Sequence, residues 1–151
     1  MSGKRGGRAS VREVYGMNRD QSDRLYSDGL ASLGAEPEAE TSIDVPGKNG
    51  GESVRCVATN VGLAVFEATV RLEPVAGPGP ILRVTSATMR IVPWRDVSAA
   101  VRCALDRDEG KMVVGIDFEN PKVDLSAGRA EDVAALARSL LRHFGSRGAT
   151  G

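Results

Sequence analysis

The spacing of hydrophobic residues changes twice along the chain. Apolar residues three to five positions apart predict a helix over residues 18–33. Between residues 41 and 119 apolar and polar residues mostly alternate, which is typical of half-buried antiparallel strands. Helical spacing returns over residues 129–144. The pattern therefore predicts an α+β fold in which a run of strands lies between two helices.

The first predicted helix has an apolar side and end signals. Asn18 is a typical N-cap, and Gly34 favours a helix end. We expect residues 11–35 to form a helical N-terminal arm, preceded by a flexible basic tail at residues 1–10. The apolar residues of this helix are Leu25, Tyr26, Leu30 and Leu33.

Seven segments have the composition of strands. Residues 81–86 and 88–92 fit two strands or one bent strand, and we count them as two. The sequence Thr59-Asn60-Val61-Gly62 favours a tight hairpin, whereas residues 46–52 have the glycine and proline content of a loop. The seven segments are 41–45, 53–58, 63–72, 81–86, 88–92, 97–105 and 112–119.

The last two strands are predicted to contribute whole apolar faces to the core. In the first of them Cys103 shares a face with Val101 and Leu105, so it is expected to act as a small core residue. In the second, Met112 begins an apolar face that continues to Phe118. Short polar connections between long alternating strands indicate a meander.

The C-terminal helix is amphipathic, and its charged residues are placed favourably for the helix dipole. Its acidic residues lie early and its basic residues late, as the helix dipole prefers. Gly145 favours a helix end, so residues 145–151 are expected to form a flexible tail. Its apolar stripe consists of Val133, Leu136, Ala137, Leu140, Leu141 and Phe144.

Composition narrows the class of protein. The 151 residues are enough for one domain, and 20 basic against 20 acidic residues give no global field for polyanions. No apolar stretch approaches the roughly 18–20 residues of a membrane span, and no secretory signal is visible. Two cysteines do not make a disulfide framework, so we expect a cytoplasmic protein. The excess of arginine over lysine, with many alanines and glycines, suggests a bacterial or phage coding sequence.

Two segments carry a resemblance to a known family. The sequences ATNVGLAVFEA at 58–68 and RIVPWRDVSAAV at 90–101 are similar to segments of the bacterial PH-like (pleckstrin homology-like) superfamily. The resemblance spans residues 41–144. It implies a strongly bent antiparallel sheet of about seven strands, a PH-like barrel with one end plugged by the C-terminal helix, within a domain at residues 36–144. The chain departs from the family in its N-terminal helix and in its first hairpin loop, where Lys48 is the single basic residue.

The sequence offers little catalytic or metal chemistry. One histidine, His143, and two distant cysteines cannot supply a usual zinc site. No P-loop, dinucleotide-binding or nucleophile-elbow motif is present. Asp117 and Glu119 share the polar face of a strand, where they suit acid–base work or, more simply, a solvated face. We therefore expect no enzyme, no cofactor and no metal ion.

The remaining candidates belong to an interaction surface. Trp94 follows Pro93 at a strand break and suits either a lid over the core or an interface anchor. Residues 54–105 contain six arginines against three acidic residues, which would suit either a modest basic surface or a mixed solvated face. The candidate interaction residues are Trp94, Arg90, Arg95, Leu25, Tyr26 and Leu30.

The leading hypothesis is a non-catalytic protein–protein interaction or structural module. It would act within a homo-oligomer or a larger assembly, with a protein partner or a second copy bound through an edge strand or an amphipathic helix. A variant of this hypothesis is a subunit of a phage-like or injection-type particle. The alternatives are an anionic-ligand module that binds nucleic acid or acidic lipid through the arginine-bearing strands, and an enzyme that uses Asp117 and Glu119.

Overall fold

The computed structural model describes residues 21–73 and 81–150. The predicted basic tail at residues 1–10, the start of the arm at residues 11–20 and the N-cap Asn18 lie outside the described residues. The elements, in chain order, are helix α1 (residues 21–32), strands β1 (Pro37–Gly47), β2 (Gly50–Thr59), β3 (Gly62–Glu73) and β4 (Ile81–Pro93), a 3-10 turn (Trp94–Asp96), strands β5 (Ser98–Asp106) and β6 (Lys111–Asn120), and helix α2 (Ala130–Thr150).

The described strands form two antiparallel sheets. One sheet has the order β1-β2-β3-β4, and the other is the hairpin β5-β6. The 3-10 turn Trp94–Asp96 separates β4 from β5, and these two strands are not paired. The α+β class is confirmed. The prediction of about seven strands in one sheet is wrong, because the described residues form six strands in two sheets, and these strands close no barrel.

The strand count differs because β4 contains a β-bulge. Thr69 of β3 pairs with Ser86, and the next residue, Val70, pairs with Val84, so Thr85 is the extra residue. A bulge shifts the inside–outside alternation by one position. The alternation of segments 81–86 and 88–92 is therefore out of phase, although both belong to one continuous strand.

Helix α1 packs on one face of the four-stranded sheet. Its C-terminus is a Schellman motif, in which the Ala35 N–H bonds to the Leu30 carbonyl at 2.9 Å and the Gly34 N–H bonds to the Ala31 carbonyl at 3.1 Å. Gly34 has a φ of 66°, which confirms the predicted helix end. The buried residues of this layer are Tyr26, Leu30, Ala35, Val57, Ala64, Phe66 and Ala68.

Helix α2 and the β5-β6 hairpin pack on the other face of the same sheet. This second core joins residues from both sheets and from α2. Its buried residues include Ile43, Cys56, Ala58, Leu63, Val97, Ile116, Leu125, Val133, Leu136, Ala137 and Leu140. The four-stranded sheet is thus covered on both faces. Residues 63–66 of β3 are consequently buried on both sides, at 2% exposure or less, where the pattern predicted a half-buried strand.

The predictions for the connections and for the C-terminal helix are confirmed only in part. The β2–β3 turn is confirmed, since β2 ends at Thr59 and β3 begins at Gly62. The predicted loop at residues 46–52 is wrong: only residues 48 and 49 lie between β1 and β2. Helix α2 continues past Gly145, and Leu141 of its predicted apolar stripe is exposed. No helix in the described part of the chain is long and apolar enough to cross a membrane.

Candidate interaction surface

Trp94 lies over the second core as a lid. Its side chain is partly buried against the core, and its indole N–H donates to the Thr59 carbonyl at 2.9 Å. The indole ring also stacks on His143, with ring centroids 4.0 Å apart and planes 13° from parallel. Of the two roles that the sequence left open for Trp94, the structure favours the lid.

His143 and Glu38 join α2 to β1 beside this tryptophan. The Nε2 atom of His143 lies 2.8 Å from Oε1 of Glu38, and the hydroxyl of Ser139 donates to the same oxygen at 2.8 Å. Burial alone would raise the pKa of Glu38. The hydrogen bonds from His143 and Ser139, with the charges of His143 and Arg142, instead hold the pKa of this carboxyl below its usual range.

A serine, a histidine and a carboxylate, the residue types of a hydrolase triad, meet at Ser139, His143 and Glu38. They are not arranged as in a hydrolase. A nucleophilic serine must donate to the histidine that acts as its base. Here the serine and the histidine both bond to the glutamate, and Ser139 has no exposed surface. This geometry holds α2 on β1 and leaves the serine hydroxyl without access to a substrate.

The three α1 candidates are divided between core and surface. Tyr26 and Leu30 are buried under the helix, whereas Leu25 is 41% exposed. The Tyr26 hydroxyl donates to Glu40 at 2.8 Å, and its ring lies edge-on to Phe66. Burial, and then the bond to Glu40, raises the pKa of Tyr26 above its ordinary value. These contacts make Tyr26 part of the core rather than part of an interaction surface.

The arginine candidates do not form one surface with the α1 candidates. Arg90 and Arg95 are both exposed, on β4 and on the 3-10 turn. Arg55 is buried instead, bonded to Asp23 and placed over the Tyr26 ring at 4.6 Å. Elsewhere on the four-stranded sheet, exposed Arg71 pairs directly across from exposed Arg83.

The β5-β6 hairpin carries an exposed apolar surface that the sequence placed in the core. Cys103 is exposed, Leu105 is 61% exposed, and Met112 is 60% exposed. We call these three residues the distal patch. Leu105 and Met112 are directly opposite each other, and Cys103 is opposite half-buried Val114. The prediction of Cys103 as a core residue is wrong, because the hairpin extends beyond the core that its base helps to form.

The distal patch continues a buried surface. Val101, opposite Ile116, and Ala99, opposite Phe118, lie on the same side of the hairpin and pack into the second core. A cleft of about 310 Å³ runs along β6, where Leu105 and Val114 line it together with buried Leu125 and Val133. One continuous apolar strip therefore passes from the core to the exposed end of the hairpin. Sequence alternation identifies this face but not the point at which the core ends.

The charged groups of the hairpin bond to neighbours on its polar face. Arg102 lies over Gly115 and binds Asp117 at 2.9 Å, while Glu119 accepts from the Ser98 hydroxyl at 3.3 Å. The two carboxylates proposed for acid–base work are thus engaged by different partners. In the parts of the chain described, no three histidine, cysteine, aspartate or glutamate side chains are grouped so as to hold a metal ion.

The two cysteines are free and differ in access. Cys56 has no exposed surface, and burial raises the pKa of its thiol to about 12. This thiol stays protonated and shielded at neutral pH. Cys103 lies in the distal patch and is accessible.

The chain matches no protein-family model, and comparisons with curated proteins and with solved structures found no significant similarity. The resemblance to the PH-like superfamily stays a prediction.

Proposed function

We propose that this protein is a non-catalytic interaction module that binds another protein chain, within a homo-oligomer or a larger assembly, through the β5-β6 hairpin. The observation that carries the proposal is the exposure of the distal patch. Isolated exposed apolar residues are ordinary on protein surfaces. Here two large aliphatic side chains, Leu105 and Met112, face each other across a hairpin and continue a buried strip. Contiguous apolar surface of this kind marks interaction sites.

The bonding of the polar groups supports a role without catalysis. Glu38 and His143 bond to each other, and Asp117 bonds to Arg102. A general acid or base must reach a proton of the substrate from an open site. These side chains instead link secondary-structure elements to one another. The two free cysteines suit the reducing cytoplasm in which we expect the module to act.

The proposal is tested by the native mass of the protein in extracts of its host. Wild type is compared with the double variant Leu105→Lys, Met112→Lys, which places two charges in the distal patch. The control is Leu33→Lys, because Leu33 is 52% exposed in the turn after α1, far from the hairpin in the chain. We expect a discrete complex for wild type and for the control, and loss of that complex for the double variant. Equal masses for all three proteins would overturn the proposal.

A second candidate function is the binding of an anionic ligand, and the arginine pair on β3 and β4 favours it. Exposed Arg71 and Arg83 are directly opposite in register, which places two positive charges side by side on one exposed part of the sheet. We expect the double variant Arg71→Ala, Arg83→Ala to lose salt-sensitive binding to single-stranded DNA or to anionic vesicles. Binding that is absent, or that does not change with salt concentration, would eliminate this candidate.

A further inference from the structure

Strand β5 forms the outer edge of the small sheet. Helix α2 packs mainly against β1 and β6, and the cleft beside β6 is lined by Asp124, Leu125, Ser126 and Gly128 of the segment before α2 and by Ala130 at its start. The other edge of β5 is paired with no strand in the described residues. An edge of this kind presents free backbone N–H and C=O groups that can pair with another strand.

The sequence of this edge lacks the usual protection against pairing. Edge strands are commonly blocked by lysine, proline or a bulge. Residues 99–105 of β5, AAVRCAL, contain no lysine and no proline, and the register of this stretch with β6 is regular. Arg102 is its one charged residue and is already bound to Asp117. The edge is therefore open to a strand that approaches in the plane of the sheet.

We propose that the partner of this edge is a second copy of the chain, which pairs its β5 antiparallel to the first across a two-fold axis. This inference rests on the proposed function and identifies the partner. The two hairpins would form one sheet in the order β6-β5-β5-β6. Because the axis is perpendicular to the sheet, the two distal patches lie side by side on one face and cover each other's apolar side chains.

Charge complementarity favours a second copy as the partner and selects the register in which the two β5 strands pair. Because this two-fold axis is perpendicular to the sheet, rotation leaves each face of the sheet on the same side. One central residue of β5 then lies opposite its own copy, and the choice of that residue defines the register. Centring on Ala104 places Arg102 opposite the partner's Asp106, and this favourable pair occurs twice. It also places Cys103 opposite the partner's Leu105. Centring on Arg102 would bring two arginines together, and centring on Cys103 would place Arg102 opposite an alanine.

The groups needed for this register are accessible. Arg102 is 56% exposed at its side chain, and its guanidinium has donors beyond the Nε that binds Asp117. Asp106 accepts the backbone N–H groups of Asp108 and Glu109 through Oδ1, so these two bonds leave Oδ2 for a further donor. The net charge of zero adds no long-range repulsion between copies.

Cysteine crosslinking tests the register. We expect the variant Cys103→Ser, Ala104→Cys to form a disulfide-linked dimer under mild oxidation, because directly opposite residues have Cα atoms about 4.5–5.5 Å apart, within disulfide range. The control is Cys103→Ser, Ala100→Cys. Ala100 is exposed on the same strand and face, but the two copies of this residue would be about 26 Å apart. No crosslink at position 104, or equal crosslinking of both variants, would overturn the proposed pairing.

Sedimentation equilibrium of the purified chain tests the partner itself. We expect twice the 15.9 kDa chain mass for wild type and for Leu33→Lys. For Leu105→Lys we expect a dissociation constant at least tenfold higher. Purified wild type that stays monomeric at about 100 μM would overturn this inference. If a complex in the host extract were still lost with Leu105→Lys, Met112→Lys, the proposed function would stand with a different protein as partner.

Discussion

Glu38 accepts two hydrogen bonds on one carboxylate oxygen, and this makes its ionisation part of the stability of the fold. The bonds come from His143 and Ser139 of α2, so they join the C-terminal helix to the first strand. Charge-assisted hydrogen bonds are stronger than neutral ones when the acceptor is ionised. Protonation of Glu38 would therefore weaken the attachment of α2 to β1.

We predict an acid-dependent loss of stability that Glu38→Gln reduces. The folded pKa of Glu38 lies below its ordinary value of 4.5, so the stabilisation is present above that pH and is lost as the pH falls through the lower, folded value. Glutamine does not titrate, so the variant should be less stable than wild type at neutral pH, by about 1 kcal/mol. Urea unfolding of both proteins from neutral pH down to about pH 3 measures the difference. Parallel curves would contradict the prediction.

Gly34 ends α1 in a conformation that other residues adopt with strain. Its φ is 66°, and a Cβ atom there would meet no neighbour within 4 Å, so only the backbone conformation opposes substitution. Gly34→Ala should lower the free energy of unfolding by about 1 kcal/mol. Ser32→Ala, in the last turn of the same helix, should change it by less than about 0.5 kcal/mol or stabilise it slightly. Urea denaturation measures both, and an unaffected Gly34→Ala protein would contradict the Schellman assignment.

At the scale of elements, α2 shows how sharply one helix is divided between core and surface. Leu140 has no exposed surface and packs in the second core, whereas its neighbour Leu141 is 53% exposed. We predict that Leu140→Ala lowers the free energy of unfolding by about 2–5 kcal/mol. Leu141→Ala should change it by less than about 0.5 kcal/mol. Equal losses measured by urea unfolding would mean that α2 is rotated from the orientation described.

The sequence predicts well those features that depend only on neighbouring residues. The Gly34 helix end and the Thr59–Gly62 hairpin depend on local chemistry, and both are confirmed. The β4 bulge could not be read from alternation, because one extra residue at Thr85 produces the same phase change as a break between two strands. The sequence pattern also could not show that α1 and α2 cover opposite faces of one sheet.

The candidate site was predicted less well than the fold because its location depends on distant parts of the chain. Cys103 and Leu105 follow the same alternation as buried Ile116. Which of these residues is buried depends on how far along the hairpin the second core and α2 extend. His143 lies near the end of the helix predicted over residues 129–144, but its bond to Glu38 joins residues 105 positions apart. Local patterns carry no information about such contacts.

At the scale of the whole molecule, the two sheets differ in how they are covered. The four-stranded sheet has a helix or the hairpin against each face, and its central strands β2 and β3 are paired on both sides. In the hairpin, β6 contacts α2, the outer edge of β5 pairs with no described strand, and the apolar strip is only half covered. The end of the small sheet is therefore the least covered part of the described structure. Association should slow hydrogen exchange there before it does so elsewhere.

Hydrogen exchange at two protein concentrations should show this directly. Raising the concentration from about 5 to about 200 μM should slow the exchange of β5 amides at residues 100–105 that do not bond to β6, because association shifts with mass action. Amides of β1, an edge strand of the other sheet, should exchange at the same rate at both concentrations. In Leu105→Lys the β5 amides should lose the concentration dependence. Slowing spread evenly over the chain, or confined to β1, would contradict association through β5 and direct attention to the edge that became protected.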